Sequence, residues 1–298
     1  MKKMLAWMLA MLLIVACPAF AETAETATET AAAEETAEAA ETEEAAAEET
    51  AEAAETEEAA AEETADPEAD CIGEHATIEV NGVSLCYAVA GEGKPVVLVH
   101  GNGGSHTAFT VEMQQLVDAG YQVYALDSRG QGANEPLDEY HYADMAEDVY
   151  QFITALGLEQ PAYYGWSDGG IIGLTLELAH PGTLSLMAIS GTNLYPDGAD
   201  PELMEYFAAE NEANPDPLVT LMLTEPDIDP ADLASIDIPV LVTAGSEDVI
   251  LAEHTQLIAD SLPDSELVIV EGEDHSSYIQ GSEIMGDLLI DFLQEHGY

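Results

Sequence analysis

From residue 71 onward, short apolar runs recur at 95–100 (PVVLVH), 123–126, 162–165, 184–189, 240–244 and 267–270. Unbroken runs of this length are the mark of strands buried on both faces. Between them, at 107–118, 142–156, 169–179, 252–261 and 282–295, the pattern is helical. Strands alternating with helices predict a mostly parallel sheet with helices on both faces. Upstream, Thr77–Val80, the pair Asn81-Gly82 and Val83–Val89 predict a hairpin with a tight turn, adding antiparallel strands at one edge.

One segment breaks the alternation. Residues 192–236 hold six prolines, eleven acidic residues and no basic one, with a short apolar stretch at 218–223. It is too long for a plain connection and predicts a small lid at about 192–236.

The first 70 residues follow different rules. Met1-Lys2-Lys3 and the apolar run 4–16 read as an export signal, residues 1–21, too short to span a bilayer. Two processing routes stay open. Ala19-Phe20-Ala21 is a small-x-small cleavage site, whereas Ile14-Val15-Ala16-Cys17 resembles a bacterial lipobox that would lipidate Cys17. Both predict an exported protein, secreted or held at a membrane. Residues 22–70 carry 20 acidic residues and no basic one, and 33–46 (AEETAEAAETEEAA) recur identically at 47–60. Alanines are too small to drive a coiled coil, and glutamates at helical spacing without lysine repel one another. The segment therefore predicts a disordered acidic linker, reaching on the order of 35–40 Å as a coil. A spacer for a tethered enzyme, a solubilising tail and a cation-binding or display element are all open readings.

Charge then excludes whole classes. The formal net charge is -56, with Lys2, Lys3, Lys94 and Arg129 as the cations. A nucleic-acid binder needs Lys and Arg for phosphates, and adhesion to an anionic membrane needs a basic patch. Neither is available. Setting Cys17 aside leaves Cys71 and Cys86, a candidate disulfide in an oxidising compartment, with two unpaired thiols as the alternative.

The candidate chemistry lies past the ends of the predicted strands. Gly165-Trp166-Ser167-Asp168-Gly169 joins a buried strand to a helix, the context a nucleophile elbow requires. Serine needs a positioned base. Gly245-Ser246-Glu247-Asp248 follows one late strand and Glu273-Asp274-His275 follows the next, where an open parallel sheet places its ligand. The expected roles are nucleophile for Ser167, general base for His275 and orienter for Asp248, with Glu247 the substitute acid. His254 and His296 lack a strand-end position. Backbone N–H groups of Asn102, in the loop His100–Ser105, and of Asp168 are the expected oxyanion donors.

Together HGNGGS (100–105), DSRGQG (127–132), GWSDGG (165–170), GSED (245–248) and EDHS (273–276) resemble the α/β-hydrolase superfamily over about residues 76–298. The resemblance implies an α/β-hydrolase fold for 71–298, with about eight strands, a lid after the sixth, and an acyl-enzyme route on Ser167. A serine at the elbow is unlike the dehalogenase and epoxide-hydrolase branches. GWSDGG is similar to valacyclovir-hydrolase-like esterases, in which the acid beside the nucleophile favours an ammonium group; this implies substrate contact for Asp168, with Trp166 a further candidate.

Arg129 is expected to pin carbonyls of the Asp127–Gly130 turn, and Trp166 and Tyr124 to pack in the core. Gly91–Pro95 lacks the spacing of a phosphate loop, Asp227–Asp232 lacks the Gly and Glu of a calcium loop, and HExxH is missing, so no cofactor or metal is implied. The expectation is an exported serine hydrolase of small carboxylic esters. Thioesterase, C–C hydrolase or haloperoxidase chemistry and a hydrolase-fold binding protein are the alternatives. The sequence leaves the oligomeric state open.

Overall fold

The computed structural model describes residues 72–298. The signal segment, Cys17, the acidic repeat and Cys71, and hence the candidate disulfide, lie outside the described residues.

Eight strands form one sheet: β1 (Glu74–Val80), β2 (Val83–Ala90), β3 (Pro95–Val99), β4 (Gln122–Leu126), β5 (Ala162–Trp166), β6 (Leu186–Ser190), β7 (Val240–Gly245) and β8 (Ser265–Val270). Their order is β1-β2-β4-β3-β5-β6-β7-β8. β1 and β2 are antiparallel, β2 runs antiparallel to β4, and the remaining pairs are parallel. Asn81 and Gly82 both have positive φ, 45° and 79°, as a two-residue hairpin turn demands.

The helices are α1 (Thr110–Asp118), α2 (Tyr142–Leu156), α3 (Asp168–Ala179), α4 (Pro201–Ala213), α5 (Pro217–Thr224), α6 (Ala252–Ser261) and α7 (Ile284–Glu295). Alternation along the strands explains the unbroken apolar runs. Val97 and Val99 face a core shared with α2, α3 and α6, through Phe152, Ile171 and Ile258. Val96 and Leu98 face the other core, with Phe109, and with Met113 of α1 and Leu289 and Phe292 of α7. The side chains of the central strands β3 to β7 are therefore covered whichever way they point.

Two expectations change. β8 is the outer strand, so its apolar run is only partly covered and Ile269 is 44% exposed. The predicted helix at 107–118 divides into a 3-10 turn, His106–Phe109, followed by α1.

The segment 192–236 folds into α4, α5 and short 3-10 turns at Pro196–Gly198 and Pro230–Ser235. Asp-Pro pairs start three of these four elements. Asp200 Oδ1 accepts from the N–H of Glu202 and Leu203 at 2.9 and 3.0 Å, and Asp216 Oδ1 from Leu218 at 2.8 Å. Asp229 Oδ1 accepts from Ala231 at 2.9 Å. The aspartate satisfies orphan N–H groups, while proline fills the first helical position where its missing N–H costs nothing.

Candidate active site

Ser167 sits between β5 and α3 at φ 54° and ψ -113°, a left-handed, strained backbone for a residue with a side chain. The turn closes because Gly165 and Gly169 flank it: a Cβ on Gly165 would collide with the Gly169 carbonyl, and one on Gly169 with that of Val99. The Ser167 N–H donates to the Ser190 carbonyl at 2.7 Å, anchoring the turn on β6. The serine side of the turn is partly exposed while its neighbours Trp166 and Asp168 are buried.

Asp248 and His275 come from the turns after β7 and β8. Nδ1–H of His275 donates to Asp248 Oδ1 at 2.7 Å, with both side chains almost fully buried. Asp248 is fixed in turn by the N–H of Ile250 on Oδ1 at 2.9 Å and of Gly245 on Oδ2 at 3.4 Å. The partner is Asp248, not Glu247, which points to solvent. Burial works against a charged imidazole here. The charge and hydrogen bond of Asp248, with Asp274 and Asp168 nearby, outweigh it and hold the His275 pKa above the usual 6.5.

Both neighbours of Ser167 reach His275. The Trp166 indole N–H donates to the His275 carbonyl at 2.9 Å, and the Asp168 charge acts on the ring. Gly191, the residue after Ser190, lies against the ring: a Cβ there would be 2.6 Å from Cε1 and Nδ1 and 3.2 Å from Asp248 Oδ2.

The loop 100–105 packs on the elbow, with a Cβ on Gly101 lying 3.1 Å from Cβ of Ser167. The DSRGQG turn holds it in place. Ser128 N–H donates to His100 Nε2 at 3.0 Å, Gly103 N–H to Gln131 Oε1 at 2.7 Å, and His106 N–H to Asp127 Oδ1 at 2.6 Å. The Gly104 N–H is taken by the Gly101 carbonyl at 3.1 Å. Among the described residues none accepts from the Asn102 N–H, which leaves it available to a ligand. Asp168 is 4% exposed, and burial pushes its carboxyl up to about 6 despite hydrogen bonds from Tyr142 and Asn102.

Several side chains act without a local sequence pattern that marks them. Gln131, Asp127 and His100 scaffold the loop through contacts 21 to 28 residues apart. Arg129 is structural, as expected, but its partner differs. Instead of turn carbonyls it grips the Asp148 carboxylate of α2 with two donors, Nε at 2.6 Å and Nη2 at 2.5 Å. His254 accepts from the Leu194 N–H at 2.9 Å and His296 contacts the Phe292 carbonyl at 3.0 Å, so neither enters the site. Trp166 and Tyr124 lie in the two cores.

A family model described as the alpha/beta hydrolase fold matches residues 94–224, from β3 through the elbow to the end of α5. Serine hydrolase BPHL from Homo sapiens is 27% identical over 250 residues, 74% of this chain and 86% of that protein. A putative carbamate hydrolase RutD from Caulobacter sp. (strain K31) is 28% identical over 248 residues, 68% of this chain and 92% of that protein. Among solved structures, a thermophilic esterase from Thermogutta terrifontis superposes with a TM-score of 0.65 at 20% identity. That match covers 76% of this chain and all of the esterase, and at this identity it speaks for the fold. Sheet order, elbow geometry and family match agree: the chain has the α/β-hydrolase fold and is similar to members of that superfamily.

Proposed function

We propose that this protein is an exported serine hydrolase that cleaves small carboxylic esters through an acyl-enzyme on Ser167. The observation that carries the reading is the 2.7 Å His275–Asp248 hydrogen bond, set beside a serine at φ 54°. Nδ1 of the imidazole is engaged by Asp248, so Nε2 is the nitrogen left for the serine.

In the first half-reaction Ser167 Oγ bonds to the ester carbonyl carbon as His275 Nε2 takes its proton. The carbonyl oxygen becomes an oxyanion facing the N–H groups of Asn102 and Asp168. The tetrahedral intermediate collapses, the C–O bond to the alcohol breaks, and His275 returns the proton to the leaving oxygen. Water then repeats the sequence on the acyl-enzyme, releasing the carboxylic acid and regenerating serine. Asp248 holds the tautomer and favours the imidazolium throughout.

Export rests on the N-terminal segment 1–21. A steady-state panel of p-nitrophenyl carboxylic esters tests the chemistry: turnover by the parent and its loss in Ser167→Ala are expected. One acyl group captured per chain without turnover would instead point to a binding protein. The intact mass of the mature protein tests export, since an unprocessed Met1 start would contradict it.

A further inference from the structure

The Asp168 carboxylate is engaged on both oxygens. Tyr142 Oη donates to Oδ1 at 2.8 Å and Asn102 Nδ2 to Oδ2 at 2.9 Å. A buried carboxylate that already accepts two internal hydrogen bonds is poorly placed as a counter-ion for a substrate ammonium, since recruiting one would break bonds already made. The same geometry suits another task. Asn102 gives its second amide contact to the Leu218 carbonyl of α5 at 3.3 Å, and Tyr142 is itself held by its N–H on Glu225 Oε2 at 3.1 Å. The Asn102 side chain is thus fixed from two sides, while its main-chain N–H is left for a ligand.

Resting on the serine-hydrolase reading, we propose that the Asp168 side chain is a positioning residue for the oxyanion site. Its carboxylate, braced by Tyr142, grips Asn102 Nδ2 and thereby fixes the Asn102 N–H relative to Asp168's own N–H. One residue supplies one donor through its backbone and aligns the other through its side chain. The lid joins the same network through Leu218, so oxyanion alignment and lid seating are coupled. Misaligning a donor of this kind raises the barrier without changing how the ground-state ester binds.

The test compares kcat and KM on p-nitrophenyl acetate and on an α-amino ester of similar size. The proteins are the parent, Asp168→Asn, Tyr142→Phe and the exchanged pair Asn102→Asp/Asp168→Asn, each with its Tm. Asp168→Asn sets two amide donors against each other. It is expected to lower kcat ten- to a hundredfold on both esters with KM within about threefold, a fraction of the 10²–10³ seen when an oxyanion donor is removed. Tyr142→Phe is expected to lower kcat by a smaller factor in the same pattern. The exchanged pair restores donor to acceptor and is expected to recover at least tenfold of the loss, which a merely structural role would not produce. If Asp168→Asn fails to fold, Tyr142→Phe and the exchanged pair decide. A change confined to KM for the amino ester would overturn the proposal in favour of a counter-ion, and unchanged kcat in an active parent background would overturn it outright. A parent with no turnover of either ester would remove the hydrolase reading and this role with it.

Discussion

The indole N–H of Trp166 donates to the His275 carbonyl at 2.9 Å, so the residue before Ser167 holds the backbone of His275. Elbow and base loop are registered against each other by a buried bond between residues 109 apart. Trp166→Phe keeps much of the packing and loses the donor. A neutral buried hydrogen bond is worth about 1 kcal/mol, with a further cost for the stranded carbonyl. We expect kcat to fall roughly five- to thirtyfold with KM little changed, measured by steady-state ester hydrolysis.

Gly191 makes a sharper test of the same geometry. Its φ is 55°, and a Cβ would press on His275 Cε1 and Nδ1 at 2.6 Å. Gly191→Ala should move the imidazole while leaving both cores intact. The expected result is a loss of kcat on the order of 10²-fold, as misplacement by about 1 Å commonly costs. The folded spectrum should persist and Tm should drop by only a few degrees.

The pH profile follows from the sign of the His275 shift. Its folded pKa lies above 6.5, and only the neutral ring can take the serine proton. The acid limb of kcat/KM is therefore expected above pH 6.5. Stability runs the other way: the His275–Asp248 pair contributes fully below pH 6.5 and fades as pH rises through the folded value. Asp248→Asn removes the charge that raises the pKa, so the acid limb should move down while the rate falls on the order of 10⁴-fold.

Arg129 and Asp148 form a buried two-pronged ion pair, and Asn81 Nδ2 adds a third bond to the same carboxylate at 2.9 Å. Arg129→Met strands the carboxylate, a change that typically costs about 3–5 kcal/mol. For a domain of this size Tm should fall by roughly 6–20 °C. The kcat of molecules that remain folded should stay close to the parent, because the pair touches no reacting atom.

Glu112 is fully buried on α1, neither of its oxygens has a hydrogen-bond partner among the described residues, and burial pushes its carboxyl up to about 8. It is neutral at pH 7 in the folded chain. In the unfolded chain it ionises near 4.5, so its destabilising effect grows as pH rises from there and is complete above pH 8. A shift of this size corresponds to on the order of 4–5 kcal/mol at the alkaline end. Glu112→Met should raise Tm at pH 9 far more than at pH 5, by thermal unfolding across that range.

Much of this was legible in the chain because the central strands need cover on both faces, which forces the unbroken apolar runs. Edge position is set by the finished topology, so the half-open state of β8 was hidden in a run that looked like the others. The helices within 192–236 were obscured by their prolines and acids, although Asp200-Pro201, Asp216-Pro217 and Asp229-Pro230 each spell a cap and a first turn. Glu112 had a signal too, since it shares the helical spacing of Phe109, Met113 and Leu116 on a buried face. The strand-end acid and histidine could be picked from their places after β7 and β8. Gln131 and His100, bonded across 28 residues to the loop they support or the turn that supports it, carry no local spacing that marks them.

The central claim is that His275 and Asp248 activate Ser167. The most direct measurement is intact mass after exposure to a fluorophosphonate, for the chain lacking residues 1–21 beside Ser167→Ala and His275→Ala. The account predicts one adduct per parent molecule, none on Ser167→Ala and a rate reduced by orders of magnitude on His275→Ala. A folded parent that takes up no label, or a Ser167→Ala variant that labels as fast as the parent, would contradict it.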